Sequence, residues 1–380
     1  MVERRTDGGV PGPPPGSRTI RRSIEVEYWV VDEAGNLVEP DGLTDFPGVE
    51  REFVKPLLEI KTSPCESSEE LRAELLERIS KVVNRGNDIG KRLVPLGTPI
   101  NEPEIQEHPS DRTRIQNDVV GENFDYVRHC AGTHIHVEQQ PGRSIDQLNT
   151  LIALDPALAL VNSSPYYQGR NVAASARSWL YRWKAYDDLS HQGRLWRYVE
   201  SQDEWNRRLE RRYEDFVTAA MDEGIDRRDI EANFDPESAV WTPVQLRERF
   251  NTVEWRSPDT ALPSQVLQIA DHISEVIEHL ERTELRIEGE RGEIREDGII
   301  VPEFDTVLGY LNEAIENGLR SEAVCGYLER MGFQPDTYDP IAHAIDGQEV
   351  VQQEEARKIR LAYATRLEED VNRAAPTRRK

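Results

Sequence analysis

Ile24-Glu25-Val26-Glu27-Tyr28-Trp29-Val30 and Thr133-His134-Ile135-His136-Val137-Glu138 decide how this chain is read. Side chains on a strand alternate between faces with a period of two. Glu25 and Glu27 therefore share one face of the first segment, and Ile24, Val26, Tyr28 and Val30 share the other. In the second segment His134, His136 and Glu138 face one way, with Ile135 and Val137 opposed. Two further segments repeat the pattern. Leu57-Leu58-Glu59-Ile60-Lys61-Thr62 sets Glu59 and Lys61 against Leu58 and Ile60, and Thr252-Val253-Glu254-Trp255-Arg256 sets Glu254 and Arg256 against Val253 and Trp255.

If the four strands belong to one sheet, their apolar faces pack on helices. The opposite face then gathers Glu25, Glu27, Glu59, His134, His136, Glu254 and Arg256. Carboxylates this close stay ionised only if cations neutralise them. A set of oxygen ligands with one or two imidazoles suits Mg²⁺ or Mn²⁺ better than zinc. Metals held by carboxylates and facing an arginine are the apparatus that positions nucleotide phosphates. Each strand alone also reads as the solvated face of an antiparallel sheet. The four together, rich in Glu, His and Arg rather than Lys, Thr and Ser, favour a site. No Gly-rich phosphate loop is present, which argues against P-loop, kinase and Rossmann readings.

Composition narrows the class. The chain has 380 residues, 37% of them apolar, enough for a sizeable core. Acidic residues outnumber basic ones 71 to 47, for a net charge of −24. Such a surface repels phosphate backbones and speaks against nucleic-acid binding. Of the 47 basic residues only seven are lysines, which leaves 40 arginines. Abundant carboxylates with scarce lysine suit a halophilic protein, hydrated in concentrated salt, in preference to the alternative of an ordinary acidic mesophile. A lone acidic residue carries little weight here; only patterned ones count. No apolar run is long enough to span a membrane, and no signal peptide is seen. The three scattered cysteines, Cys65, Cys130 and Cys325, form no disulfide framework or zinc spacing and fit a cytoplasmic protein.

Along the chain, residues 1–19 contain Pro-Gly-Pro-Pro-Pro-Gly-Ser and no apolar periodicity, and read as a disordered tail. Strands are expected at Arg22–Val31, Lys55–Ser63, Leu93–Gly97, Gly132–Glu138 and Asn251–Ser257. Helices are expected at Ser67–Ile89, opened by a capping box of Ser67/Ser68 with Glu70, at Ile145–Val161, and over 202–222, 264–285, 303–330 and 348–373. The pattern is α+β without regular βαβ alternation. It predicts one large domain over 20–290 and a helical extension over 291–380.

The order of these motifs carries a resemblance. Glu25-Val26-Glu27-Tyr28 is followed by Leu58-Glu59-Ile60-Lys61-Thr62-Ser63-Pro64-Cys65, then by Gly132-Thr133-His134-Ile135-His136-Val137. Asn162-Ser163-Ser164-Pro165-Tyr166 comes next with Gly169-Arg170 and Ser175-Ala176-Arg177, and last Thr252-Val253-Glu254-Trp255-Arg256 with Asp259. From about residue 22 to 285 the chain resembles the glutamate–cysteine ligase type 2 family, carboxylate–amine ligases related to glutamine synthetase. The resemblance implies a curved, mainly antiparallel sheet packed on helices. It implies ATP-dependent amide formation in which the γ-phosphate passes to a substrate carboxylate, such as that of glutamate, and an amine such as cysteine attacks the acyl phosphate. It makes Glu25, Glu27, Glu59, His134 and Glu254 metal-site residues and Arg256 the phosphate-stabilising arginine. Glu52, seven residues before Glu59, is a further acidic candidate. His136, Arg170, Arg177 and Arg247 are candidates for nucleotide or substrate contacts. The partners implied are small molecules, with no nucleic acid and no membrane; a homo-oligomer stays open. Two alternatives stand beside this reading: a metal-dependent amide hydrolase of the same superfamily, and a non-catalytic nucleotide-binding relative.

The chain also departs from the family pattern. Ser23 stands near the place of a usual glycine, and Gly97-Thr98-Pro99-Ile100-Asn101 lacks a usual histidine. Tyr166 and Val172-Ala173 alter the Asn-Ser-Pro-Phe context. Nine residues before Glu254, where an arginine is usual, stands Gln245, so that Arg247 or Arg249 takes over or the substrate contact is gone. Outside the pattern, Cys65 reads as a small buried filler, His108, His129 and His191 as surface or structural, and the Arg/Glu-rich stretch 203–215 as a solvated helix face.

Overall fold

A computed structural model of the chain describes residues 20–187 and 189–374. The expected disordered tail lies outside these residues. Seven strands form the main sheet: β1 (Arg22–Asp32), β2 (Val49–Arg51), β3 (Leu57–Lys61), β4 (Lys91–Val94), β5 (Thr133–Glu138), β6 (Val244–Arg247) and β7 (Thr252–Trp255). They run β2-β3-β1-β5-β7-β6, with β4 beside the C-terminal half of β1, and every pairing is antiparallel.

The alternation read in the sequence sets the faces. Ile24, Val26, Tyr28 and Val30 of β1 are fully buried, as are Leu58, Ile60, Ile135, Val253 and Trp255. They meet the apolar stripe of α1 (Ser68–Asp88), made of Leu71, Leu75, Leu76, Ile79 and Val82. They also share a core with α3 (Ser144–Leu154) and α6 (Pro263–Leu280), numbered after α2 (Asp111–Val120), α4 (Ala176–Trp183) and α5 (Gln202–Asp222). The expected cap of α1 is half formed. Glu70 N–H donates to the Ser67 hydroxyl at 3.1 Å, but the Glu70 carboxylate accepts from Glu66 N–H at 2.8 Å instead of reaching back to Ser67.

Several boundaries differ from expectation for local reasons. Residues 145–161 form no single helix: α3 ends at Leu154 and a 3₁₀ turn runs over Asp155–Val161. Pro156 supplies no backbone N–H and interrupts the α ladder there. α6 begins at Pro263, where a missing N–H costs nothing, and ends at Leu280. The chain then turns into a small three-stranded sheet over Glu284–Ile287, Glu293–Arg295 and Gly298–Val301, where mainly helix was expected after residue 290.

The second face of β1 changes character along its length. Glu25 and Glu27 face a cavity, whereas Trp29 and Val31, on the same side, are fully buried. They are covered by residues from the C-terminal part of the chain. Ile341, Val351 and three residues of α8 (Gln353–Ala374; α7 is Phe304–Glu316), namely Ala356, Tyr363 and Ala364, pack with Trp29, Val31, Leu57, Val94 and Leu96. The other side of α8 sends Leu367 and Val371 into the main core, where the helix packs on α1 and α6. The segment past residue 290 thus contributes to both apolar layers. Leu367 is fully buried. Leu367→Ala should lower unfolding stability by about 2–5 kcal/mol. In urea titrations followed by circular dichroism and by tryptophan fluorescence the loss should move one shared transition, because Trp29 and Leu367 belong to layers tied together by the same helix.

Candidate active site

Antiparallel register brings the polar residues into rows. On β1 and β3 Glu27 lies opposite Glu59, and Glu25 opposite Lys61. On β1 and β5 Glu25 lies opposite His134, and on β5 and β7 His136 lies opposite Glu254. Side chains directly opposite on one face are about 5 Å apart at Cβ, so their polar ends can touch. His134 Nδ1 sits 3.4 Å from Glu25 Oε2 and 3.2 Å from Glu254 Oε1. His136 Nε2 lies 3.7 Å from the same Glu25 oxygen and 3.6 Å from the same Glu254 oxygen. Lys61 Nζ reaches Glu59 Oε2 at 2.6 Å. Arg256 Nε and Arg247 Nη1 each stand 3.2 Å from a Glu254 oxygen.

These groups line a cavity of about 470 Å³. Of the residues singled out from the sequence, Glu25, Glu27, Glu52, Glu59, His134, His136, Arg177, Arg247, Glu254 and Arg256 all line it. Arg170 does not: it lies exposed in a two-residue strand pair with Tyr167, away from the cavity. Gln245 is fully buried opposite Glu254 and donates to the Glu237 carbonyl at 3.0 Å. Arg247, on the same face of β6 two residues along, is the arginine that reaches the cavity; Arg249 does not line it.

Burial and crowding shift the protonation of these groups in opposite directions. Burial and the neighbouring Glu25 charge push the Glu59 carboxyl up to about 7, against the pull of Lys61. Burial, with Glu59 and Glu27 nearby, pushes Glu52 well above the ordinary carboxylate range. Burial also works to raise Glu25 and Glu254, but cationic partners outweigh it. His134 and His136 hold Glu25 low, and Arg256 with the two imidazoles holds Glu254 low. Burial lowers His134, yet its contacts with Glu25 and Glu254 prevail and carry it up to about 9.

The donor set fits a divalent cation. Ligand atoms of Glu25, His136 and Glu254 lie within 4.8 Å of one another, as do those of Glu25, Glu59 and His134 and those of Glu27, Glu52 and Glu59. Glu25 and Glu59 are shared between neighbouring groups. His136 Nε2 is buried without a hydrogen-bond partner and has only the two longer carboxylate contacts. Five carboxylates with two imidazoles and no thiol are hard, mainly oxygen ligands, the preference of Mg²⁺ and Mn²⁺.

The supporting contacts are themselves buried. Asp155 is fully buried and accepts from Arg182 at 2.8 Å, from the Trp255 indole at 2.8 Å and from the Ser257 hydroxyl, which ties down both sides of Arg256. Arg177 lines the cavity and donates to the Ser257 carbonyl at 2.9 Å. It passes so close to Gly132 that a Cβ there would sit 2.2 Å from the guanidinium, and Gly132 N–H donates to Glu27. Asp259, fully buried, accepts from Ser163 N–H at 2.9 Å and from Ser175 at 3.3 Å.

The far wall of the cavity was not found from the sequence. It is built by Phe53, Arg112 and Thr113 of α2, Phe124, Tyr181 of α4, and Glu237 to Trp241. These residues belong to helices and loops with no period-two signal. His108, read as surface or structural, also lines the cavity. His129 is buried and bonded to the carbonyls of Asp125 and Glu102 at 2.9 and 3.0 Å, a structural role, and His191 is exposed. Cys65 contacts the Ser63 carbonyl and Glu74 at 3.2 Å, and burial pushes its thiol up to about 12, so it stays protonated outside the cavity.

The model of the glutamate–cysteine ligase family 2 matches residues 23–286, which carry β1 through β7. This chain belongs to that family. A protein of Chloroflexus aurantiacus, provisionally named a glutamate–cysteine ligase 2, is 28% identical over 162 residues, covering 39% of this chain and 41% of the relative. A similarly named protein of Paenarthrobacter aurescens is 27% identical over 162 residues, 40% of this chain and 41% of that one. Each match therefore spans less than half of the relative's length. Among solved structures, a bifunctional glutathione synthetase from Pasteurella multocida superposes with a TM-score of 0.54 at 15% identity. That superposition covers 92% of this chain and 53% of the other and supports the shared fold: the expected α+β class, a mainly antiparallel sheet packed on helices. No helix among the described residues is long and apolar enough to cross a membrane.

The site gives stability a defined pH dependence. Glu59 in the folded chain titrates near 7 instead of 4.5, and His134 near 9 instead of 6.5. Both bind protons more tightly when folded. The contribution of Glu59 is complete below about pH 4.5 and lost by about pH 7, and that of His134 is complete below about pH 6.5 and lost by about pH 9. The melting temperature of the metal-free protein should fall as pH rises through these windows. Glu59→Gln should flatten the fall between about pH 4.5 and 7, leaving the alkaline part. A wild-type slope in that variant would exclude Glu59 from the proton balance.

Proposed function

We propose that this protein is an ATP- and Mg²⁺-dependent carboxylate–amine ligase of the glutamate–cysteine ligase type. The observation that carries the reading is the convergence of Glu25, Glu59, His134, His136 and Glu254 on one wall of a cavity that also receives Arg256 and Arg247. Membership of the family supports the same class. A divalent cation held by the carboxylates would neutralise phosphate charge and polarise the γ-phosphoryl group.

The chain's own residues have separable tasks. Glu25, Glu27, Glu59, His134 and Glu254 would hold the cations. Arg256 is fixed by Glu254 at 3.2 Å, and Ser257 after it is anchored to the buried Asp155. Its guanidinium is thereby aimed into the cavity, where it can stabilise charge on a transferring phosphoryl group. Arg247, held by Glu254 and by Glu237 at 3.3 Å, can take the carboxylate or phosphate contact that Gln245 does not supply. Activation of the carboxylate as an acyl phosphate leaves a group that an amine displaces, with phosphate departing.

Purified protein given Mg²⁺, ATP, glutamate and a panel of amines in high salt should release ADP. A signal with cysteine assigns glutamate–cysteine ligation. A signal with other amines alone keeps the ligase class and changes the acceptor. Cleavage of a γ-glutamyl amide without ATP turnover would replace the reading by a hydrolase. Glu254→Gln should abolish ADP release with an unchanged circular dichroism spectrum. Arg256→Ala should lower kcat by about 10²–10³. Full turnover in either variant would remove that residue from the mechanism.

A further inference from the structure

Four large apolar side chains are exposed among the described residues: Met221, Phe250, Ile287 and Val350. Phe250 alone of these lines the cavity. It is 50% exposed, at the tip of the hairpin that joins β6 to β7, and Asn251 beside it takes a φ of 53°. Left-handed backbone at a non-glycine residue is uncommon, although Asn tolerates it best. The turn thus keeps an apolar ring at the cavity mouth, in a chain whose surface is otherwise strongly charged.

The surroundings of this ring point to a planar, electron-rich ligand. The guanidinium carbons of Arg247 and Arg249 stand 5.5 and 5.6 Å from the ring centroid. By comparison, Arg112 sits 4.1 Å above Phe234, so the cover on Phe250 is loose. The His136 ring meets Phe250 edge-on at 6.1 Å, and His136 Nε2 is 3.6 Å from Glu254. A path therefore runs from Phe250 past His136 to the carboxylate cluster. A second aromatic ledge exists across the cavity, but its rings are already engaged. Tyr181 and Trp241 stack on each other at 4.2 Å and 20°, and Arg256 lies 5.4 Å over Trp241.

We propose that Phe250, flanked by Arg247 and Arg249, is the seat of the nucleotide base, with the phosphate chain running inward past His136 to the carboxylates. The inference rests on the ATP reading of the cavity and deepens it. Aromatic rings and guanidinium planes both stack on a purine, and such stacking strengthens binding of the base. The hairpin thus positions ATP through its base, while the sheet handles its phosphates. Selectivity for a nucleoside triphosphate over a bare polyphosphate would come from Phe250.

Calorimetric titration with Mg-ATP and with Mg-tripolyphosphate separates the two ends of the ligand. Phe250→Ala should weaken ATP binding about tenfold and leave tripolyphosphate binding unchanged. Phe250→Trp should keep wild-type ATP affinity. Unchanged ATP affinity in Phe250→Ala overturns the proposal, as does an equal loss for both ligands, which would mean a general opening of the cavity. Selective loss of ATP in Trp241→Ala, with Phe250→Ala unaffected, would move the base to the other ledge. A wild-type chain that binds neither ligand overturns the ATP reading itself. One that binds both, without discrimination, overturns the base seat alone.

Discussion

The pairing of β1 with β5, and of β5 with β7, is the constraint on which the site depends. It fixes Glu25 against His134 and His136 against Glu254 on one face of the sheet. Strand register allows no partial adjustment: a slip of one residue would send each of these side chains into the apolar core. Ile24, Val26, Ile135, Val253 and Trp255 are all fully buried on the other face, so the core enforces the register that the site needs. The same hydrophobic burial that stabilises the fold thereby crowds acidic groups that repel one another.

The protein meets that repulsion in three ways. Imidazoles from β5 stand between the carboxylates of β1 and β7. Lys61, one of only seven lysines, is placed on Glu59. Arginines from β6 and the end of β7 converge on Glu254. The compensation is uneven. Glu25 and Glu254 are held ionised, whereas Glu52 and Glu59 are driven toward the neutral form. The site is therefore under-neutralised on the β3 side, which is where additional positive charge has the most to offer.

Residues on the sheet were legible because a strand writes its faces into the sequence with period two. Glu25, Glu27, Glu59, His134, His136 and Glu254 could be assigned to one face before any pairing was known. Glu52 sits outside that alternation, and it was reached only through the resemblance. The opposite wall could not be read at all. Arg112, Tyr181 and Trp241 come from α2, α4 and a loop, and only tertiary packing brings them over the sheet. Arg170 illustrates the converse case, since a basic residue in a motif-like context lies exposed and does not line the cavity. Within the fold, the longer helices were legible while their ends were not, and the shorter α2 and α4 were missed. Pro156 divided one expected helix, and the three short strands at 284–301 form a sheet only because Gly298–Val301 pairs with both of the others.

The contact between Gly132 and Arg177 carries a lesson for engineering this scaffold. The two positions occupy a single volume, so neither can be redesigned alone. A bulkier residue at 132 would have to be matched by a shorter one at 177, and the bond from Arg177 to the Ser257 carbonyl would go with it. Attempts to retune the floor of the cavity therefore have to treat these sites as a linked pair, forty-five residues apart along the chain but one decision in space.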